Sequence, residues 1–392
     1  MIRALLVFAL LGGMAFSAHA QIFKLPPADT VAGNFFGVAV AIDGDRALIG
    51  ASGEDLCGAN SGAAYIYERD TTGTWAQVAK LHPRDCVEGH FFGRTLALSG
   101  NRAVVAAFRP FFSSTRSNAA YVFERDTTGT WSEVARLTAG EGFEEGPFAA
   151  SVALDGDRAL ITTAGDRGEG RHGGAAYVFE RDPLSGFWRQ QARVTGSGSV
   201  RDGIFGTSAA LDGDRFIVSA STYFAERPGS AYIFERKHSG TWQETAHLTG
   251  IEDFFISVDI HGDHVIVGES KGGKGRTGIA TLYQRQPDST WVEEAELLPR
   301  TPYRLGAFGT LVALHGNHAM AVGYDEQLQL EFNIDRVVYL FHRDPETDTW
   351  KQLRTLDVGE VAFGSAIALD GIHALIGQAS EQDVGLAYIV KL

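Results

Sequence analysis

The sequence predicts an all-β protein, a seven-bladed β-propeller of four-stranded antiparallel blades, and three observations carry this prediction. All six tryptophans occupy one repeat position, roughly every 50 to 60 residues. A short motif, centred on Gly44 in its first copy, occurs seven times in the same phase. No stretch of ten or more residues shows a helical hydrophobic period. A unit of about 50 residues with four short strands is typical of a propeller blade.

The first copy of the unit shows the four strands expected in each blade. Apolar, aromatic and small residues, bounded by Gly, Asp, Asn and Thr turns, fill residues 35–43, 46–52, 62–70 and 74–81. The first turn reads IDGDRA and returns as LSGNRA, LDGDRA, LDGDRF, IHGDHV, LHGNHA and LDGIHA. We predict blade cores at residues 35–81, 91–137, 147–194, 204–248, 253–297, 307–353 and 362–392, the last together with residues 21–25.

The two ends of the chain predict a closed ring. The seventh copy stops at its third strand, residues 385–392, whereas QIFKL at 21–25 is similar to QVAKL at 77–81, the end of a fourth strand. We expect this N-terminal strand to close the last blade, which removes the open edges that separate sheets expose. A linear solenoid is the alternative, and it leaves the missing strand unexplained.

The first strand of every copy carries a Phe, followed by Gly in five of the seven copies. Along residues 36–42, bulky apolar residues alternate with small ones. Because successive side chains point to opposite faces of a strand, the bulky face of one blade can pack on the shallow face of its neighbour. We interpret the recurring Trp, Gly and Ala as core residues, together with Phe36, Phe92, Phe148, Phe205, Phe254, Phe308 and Phe363.

The first 20 residues have the pattern of a secretory signal peptide. Arg3 precedes a largely apolar run at residues 4–16, and the AHA that follows fits the small-x-small rule of signal peptidases. Cleavage between Ala20 and Gln21 leaves residues 21–392 as a single propeller, secreted to the periplasm or the extracellular space. A transmembrane anchor is the alternative, but the apolar run is too short to span a bilayer.

The charge argues against two classes of partner. The formal net charge is −14 and becomes −15 when Arg3 leaves with the signal peptide. Nucleic-acid binding needs a basic surface, and anionic membranes disfavour an acidic protein for the same reason. No later segment is apolar enough to span a membrane. We therefore expect neither a nucleic-acid partner nor a membrane span.

The segments FFG, ALIGAS and GAAYIY of the first copy resemble the FG-GAP repeat, the blade unit of the integrin α-subunit propeller. The sequence is most similar to a shorter bacterial variant, in which FG, GDRA and GAAYVFER recur. The resemblance covers the whole mature chain. It implies a seven-bladed propeller and, loosely, extracellular recognition or cell adhesion, but it implies no single activity because one fold hosts many functions.

The first turn departs from the calcium-binding blades of the integrin type, which carry a longer acidic loop there. Calcium takes six to eight oxygen ligands, and IDGDRA offers two carboxylates. Only the central Gly is the same in all seven copies, which favours a hairpin turn that needs positive φ at that residue. We therefore expect no metal ion and no cofactor.

Two registers of this turn remain open. With Gly44-Asp45 as the loop, residues 43 and 46 face each other, and three copies then place opposite charges across the hairpin: Asp43–Arg46, Asp155–Arg158 and Asp212–Arg215. With Asp43-Gly44 as a type I′ loop, the pairing shifts by one residue.

The loops that join the second strand to the third, and one blade to the next, vary in length and lie at one end of the blades. We call this end the long-loop face and the opposite end, with its short repeated turns, the turn face. Variable loops on a rigid scaffold often bind ligands, and exposed aromatics with Arg suit glycans or proteins. The alternative is that these side chains pack on each other. The candidate ligand-binding residues are Arg109, Phe111, Phe112, Arg116, Tyr223, Phe224, Arg227, Tyr303 and Arg304.

Three further groups of residues stand out. Cys57 and Cys86 belong to adjacent loops of the long-loop face, and two cysteines in an exported protein usually pair, so we predict a disulfide. Asp259 stands where the other six copies have Ala. Either the shortest blade has lost the repeat pattern at this position, or the carboxylate has a function near the central channel. Five histidines replace Asp or Arg on the turn face, and a metal site there is the alternative: His261, His264, His315, His318 and His373.

No motif for nucleophilic, zinc or phosphate chemistry is present, so we assign no catalytic residue. The leading hypothesis is a monomeric, non-enzymatic recognition or adhesion module for an unknown glycan or extracellular protein. A structural or matrix-associated protein is one alternative. A polysaccharide hydrolase or lyase is another, and it would draw an acid/base pair from Glu54, Asp55, Asp85, Glu88, Glu141, Glu144, Glu145 and Asp202.

Overall fold

The structure is a computed structural model and describes the greater part of the chain. The described residues are 22–29, 31–107, 118–139, 148–164, 173–197, 203–222, 228–251, 256–273, 277–300, 307–324, 336–356, 362–380 and 382–392. The predicted signal peptide, residues 1–20, lies outside them. All regular elements within these ranges are strands, and none of the described residues forms a helix long and apolar enough to cross a membrane.

The N-terminal strand is β1 (Ile22–Leu25), and the first blade follows as β2 (Phe36–Asp43), β3 (Arg46–Ala51), β4 (Ala63–Arg69) and β5 (Trp75–Leu81). Blade 2 contains β6 (Leu96–Ser99), β7 (Arg102–Ala107), β8 (Ala119–Arg125) and β9 (Trp131–Leu137). Blade 3 contains β10 (Phe148–Asp155), β11 (Arg158–Thr163), β12 (Ala175–Arg181) and β13 (Trp188–Val194). Blade 4 contains β14 (Gly203–Asp212), β15 (Arg215–Thr222), β16 (Gly229–Arg236) and β17 (Trp242–Ile251).

Blade 5 contains β18 (Ile256–His261), β19 (His264–Glu269), β20 (Ile279–Arg285) and β21 (Trp291–Leu297). Blade 6 contains β22 (Val312–His315), β23 (His318–Tyr324), β24 (Arg336–Asp344) and β25 (Thr349–Leu356). Blade 7 contains β26 (Phe363–Asp370), β27 (His373–Gln378) and β28 (Leu386–Lys391). All neighbouring strands within a blade are antiparallel, and the first strands of successive blades contact one another around the ring, which confirms the predicted seven-bladed propeller.

The N-terminal strand closes the last blade, as the sequence predicts. Strand β1 pairs with β28, so that Ile22 faces Val390 and Leu25 faces Ala387. The order of the seventh sheet is therefore β1-β28-β27-β26. Residues far apart in sequence thus lie side by side, and this pairing holds the two ends of the ring together.

The predicted core packs between blades. Phe36 is fully buried and contacts Tyr65 edge to face at 5.4 Å between ring centroids. The same cluster includes Leu375 and Ile389 of the seventh blade, so the Phe of one blade packs against its neighbour. The five other described Phe residues of this set are equally buried, and Phe254 lies outside the described residues.

Two of these phenylalanines lie outside the regular strands that were expected to contain them. Strand β6 starts at Leu96 and β22 at Val312, because Phe92 and Phe308 pair with the preceding blade instead. Phe308 forms a parallel bridge with Gly278, where φ is +91° and an added Cβ would lie 2.0 Å from the Phe308 carbonyl oxygen. Only Gly permits the two blades to approach so closely.

The register of the first turn is the one with Gly44-Asp45 as the loop. Asp43 faces Arg46, φ is +59° at Gly44, and Asp45 does not share this positive φ. The opposite-charge contact expected across the hairpin is replaced by others. Arg46 pairs with Glu68 at 3.1 Å, because strand β4 brings this carboxylate to the same rim.

Candidate functional site

The nine predicted ligand-binding residues fall in segments outside the described residues. These are Arg109, Phe111, Phe112, Arg116, Tyr223, Phe224, Arg227, Tyr303 and Arg304. The described strand ends on either side of these segments, in blades 2, 4, 5 and 6, lie at the long-loop face. Whether they form one ligand-binding surface stays a prediction.

The junction of blades 1 and 2 is a described part of the long-loop face. Cys57, in the loop between β3 and β4, forms a disulfide with Cys86, in the loop between β5 and β6, as predicted. Backbone hydrogen bonds also join these loops, because the Gly89 amide donates to Ala59 at 2.8 Å and the Phe91 amide to Asn60 at 2.9 Å. The corner is therefore held by the backbone as well as by the disulfide.

Glu54 is the buried carboxylate at this corner. It accepts hydrogen bonds from Asn34 Nδ2 at 2.7 Å and the Tyr65 hydroxyl at 3.0 Å, and Lys80 Nζ lies 3.3 Å away. Burial, reinforced by the charge of Glu54, raises the pKa of Tyr65 above its usual range. A carboxylate with three partners fixes the loop and is poorly placed to act as a general acid or base.

Two more of the carboxylates considered for acid/base catalysis are also engaged. Asp55 accepts from the Asn60 amide at 2.8 Å, and Asp85 pairs with Arg136 at 3.3 Å. The candidates outside the described residues are Glu141, Glu144, Glu145 and Asp202. Asp55 and Asp85 therefore have structural roles in the described loops.

The first turns form a ring of contacts between blades on the turn face. The Asp43 carboxylate accepts a hydrogen bond from the amide of Gly100, its counterpart turn in blade 2. Asp155 accepts from the Gly213 amide at 2.7 Å. The same bond is made by three further pairs: Ser99 with Gly156, Asp212 with Gly262, and Asp370 with Gly44. The first Asp of IDGDRA thus forms a hydrogen bond with the next blade. Its carboxylate resembles a metal ligand, but the turn lacks a full ligand set.

A second ring lies outside the first and joins Glu and Arg at the ends of the third strands. Glu68 lies between Arg46 of its own blade at 3.1 Å and Arg125 of blade 2 at 2.7 Å. Glu124 repeats this arrangement with Arg102 and Arg181. Blade 5 has Gln284 at this position, and its Glu294 on strand β21 pairs with Arg343 instead. The repeated "ER" of the sequence is therefore an interblade ion-pair network.

The histidines occupy the same two rings. His261 and His315 are in contact at 4.1 Å between ring centroids, with the rings tilted by 36°, and His264 lies 3.5 Å from Glu294 and 3.0 Å from Arg343. Burial lowers the pKa of four of them, which favours the neutral ring: His264, His315, His318 and His373. Among the described residues, the group of three side chains that could hold a metal ion lies elsewhere, at Cys57, His82 and Cys86.

Asp259 lies in the inner strand β18 and bonds to the next blade. Its carboxylate accepts from the Leu314 amide at 2.7 Å and from the Ile260 amide at 2.8 Å. Burial raises its pKa to about 7, and the two amide hydrogen bonds oppose this shift. The sequence singled out Asp259 correctly as unusual, and the structure supplies the partners that a carboxylate needs there.

Two surface features were missed by the sequence analysis. Leu184 and Phe187, in the turn between β12 and β13, are 97% and 66% exposed. The sequence does indicate these two residues, because DPLSGF in the third copy departs from the DTTGT pattern of the first two copies. An open depression of about 430 Å³ on blade 6 is lined by residues that include Arg300, His342 and Lys351. It carries no sequence signature, since it joins Arg300 to residues of strands β24 and β25 and the turn between them.

Comparison with known proteins identifies the repeat. The model of the FG-GAP repeat matches residues 20–67, 75–123, 131–179 and 188–234. A search of curated proteins found no significant match.

Solved structures show the same fold at low sequence identity. A crystal structure of RRP9 WD40 repeats aligns with a TM-score of 0.56 and 10% identity, covering 95% of this chain and 100% of that one. A protein from Lactobacillus plantarum aligns with a TM-score of 0.53 and 13% identity, covering 85% and 88%. Since the repeat model matches four times and the fold is a seven-bladed propeller, the chain belongs to the FG-GAP repeat family.

Proposed function

We propose that the protein is an exported, non-enzymatic recognition or adhesion propeller that binds a glycan or a protein through its long-loop face. The observation that supports this proposal is the difference between the two faces. On the turn face, the repeated charged side chains bond to neighbouring blades. The long-loop face carries the variable segments, and rigid scaffolds commonly present such loops to ligands.

The proposal includes the maturation and state of the chain. Residues 1–20 are removed as a signal peptide, residues 21–392 form one propeller, and the mature protein is a monomer. The disulfide between Cys57 and Cys86 is compatible with export to an oxidising compartment. Mass measurement of the exported protein tests the cleavage site, and light scattering tests the monomer.

The binding face is tested with two matched variants. The first replaces Phe111, Phe112, Tyr223 and Phe224 with Ser on the long-loop face. The control replaces Leu184 and Phe187 with Ser on the turn face, where both are exposed. On an array of polysaccharides and matrix proteins, the first variant should lose the binding of the unmodified chain, whereas the control should keep it.

The outcomes separate the three functions considered. Binding without turnover of the bound polysaccharide supports the recognition module. Turnover would make the protein a hydrolase or lyase, and neither binding nor turnover would favour a structural role. Loss of binding in the turn-face control alone would place the ligand on the opposite face.

A further inference from the structure

Three ligands of the kind that zinc prefers converge at the corner between blades 1 and 2. One donor atom each of Cys57, His82 and Cys86 lies within 4.8 Å of the others. Cys57 and His82 are exposed and Cys86 is partly exposed, so a reductant and a metal ion can both reach the group. The two sulfurs are bonded to each other, and the metal site is therefore available only after reduction.

The backbone of the corner does not depend on the disulfide alone. The Cys57 amide donates to Ser61 Oγ at 3.0 Å, and the Cys86 amide donates to the Pro83 carbonyl at 3.1 Å. The loop-to-loop bonds at Ala59 and Asn60 lie beside them. These contacts keep the two cysteines close after the sulfur–sulfur bond opens.

The distances suit a tetrahedral zinc ion. The Cα atoms of Cys57 and Cys86 are 5.9 Å apart. With Zn–S bonds of about 2.3 Å, two thiolates on one tetrahedral ion lie roughly 3.8 Å from each other. Rotation of the two side chains supplies this separation, and the backbone can stay in place.

His82 supplies the third ligand of the set. Its Nδ1 lies 3.3 Å from the Pro83 carbonyl oxygen, which can only accept, so Nδ1 carries the proton. The neutral ring then has its lone pair on Nε2, and a backbone carbonyl on the other nitrogen is the usual support of a metal-binding His.

We propose that reduction of the Cys57–Cys86 disulfide turns this corner into a Cys2His zinc site with water as the fourth ligand. A dithiol supplies two electrons and two protons and is oxidised to its own disulfide, while the protein bond becomes two thiols. Zn²⁺ then displaces the two thiol protons and binds both thiolates and His82 Nε2. The same two loops are thus cross-linked by the disulfide when oxidised and by zinc when reduced.

The test uses the full mature chain, reduced with a phosphine that is then removed without oxygen. Titration with Co²⁺ should give one equivalent of binding, with a thiolate-to-cobalt charge-transfer band that Zn²⁺ abolishes. The oxidised protein should give no such band. Substitution of His82 by Ala should weaken binding at least about 10-fold, since a ligand contributes no less than its supporting contacts. The matched control, His238→Ala on the turn of blade 4, should bind as the unmodified chain does.

Several results would overturn the proposal. Absence of the charge-transfer band in the reduced chain excludes thiolate ligation, and equal affinity in His82→Ala excludes the imidazole. Near-UV circular dichroism follows the fold of the reduced chain and of Cys57→Ser, which cannot form the disulfide. If both lose the native spectrum, the site does not exist without the disulfide and the proposal fails.

Discussion

Replacing Asp259 with Asn is predicted to change how stability depends on pH. The carboxyl has a folded-state pKa of about 7 because burial disfavours its charge, against an ordinary value of 3.8. Between these two values the folded chain keeps a proton that the unfolded chain releases. The stability of the unmodified protein therefore falls as the pH rises from about 4 to 7.

The size of the effect follows from the shift. A shift of about 3 pH units at 1.36 kcal/mol per unit gives an upper bound of about 4 kcal/mol at pH 8. Asp259 keeps part of its surface exposed, which reduces the penalty, and we expect a loss of about 1 to 4 kcal/mol. Asn keeps a carbonyl acceptor for the Leu314 amide, loses the acceptor for the Ile260 amide and does not titrate, so the stability of Asp259→Asn relative to the unmodified chain should rise between pH 4 and 8.

Urea denaturation between pH 4 and 8, followed by tryptophan fluorescence, measures this difference. Ser257→Ala is the matched control, because Ser257 Oγ accepts the Val312 amide at 3.1 Å at the same blade junction and does not titrate. Its stability offset should be the same at each pH. Parallel pH curves for Asp259→Asn and the unmodified chain would refute the reasoning.

Two further predictions concern the contacts between blades. Gly278→Ala should destabilise the protein by at least about 2 kcal/mol more than Gly100→Ala, as urea midpoints will show, because both have positive φ but only Gly278 would clash with a neighbouring blade. Equal losses would remove the role of close approach. Glu68→Gln should cost about 1 to 2 kcal/mol at low salt, less in molar salt, because it weakens both arginine contacts in a partly exposed site. The control Glu346→Gln, at an exposed turn, should stay within about 0.5 kcal/mol, and a salt-independent loss would contradict the ion-pair role.

Most of the fold could be predicted from the sequence because the repeat shows the same pattern seven times. Gly44 is an example, since a turn that keeps only its Gly in seven copies must need positive φ there. The closing strand at residues 22–25 could be found for the same reason, because its sequence matches a strand missing elsewhere. The pairing of Cys57 with Cys86 followed from their place in adjacent loops.

The partners of charged side chains were harder to predict. Asp43 and Arg46 face each other across a turn, yet Asp43 bonds to a turn of the next blade and Arg46 pairs with Glu68 on strand β4. A repeat pattern shows which residues recur in one blade, but the contact between blades depends on their spacing and twist. The bond from the Gly100 amide to Asp43 and the bridge from Glu68 to Arg125 are contacts of this kind.

The sequence by itself thus determined the blade, the number of blades and the way the ring closes, because these depend on local turn chemistry and periodicity. The tertiary structure decided which contacts the repeated polar residues make. Asp43 binds a neighbouring turn, Glu68 joins two arginines, and Asp259 caps a backbone amide of the next blade. It also brought His82 beside the disulfide, since this contact depends on two loops that meet only when adjacent blades pack.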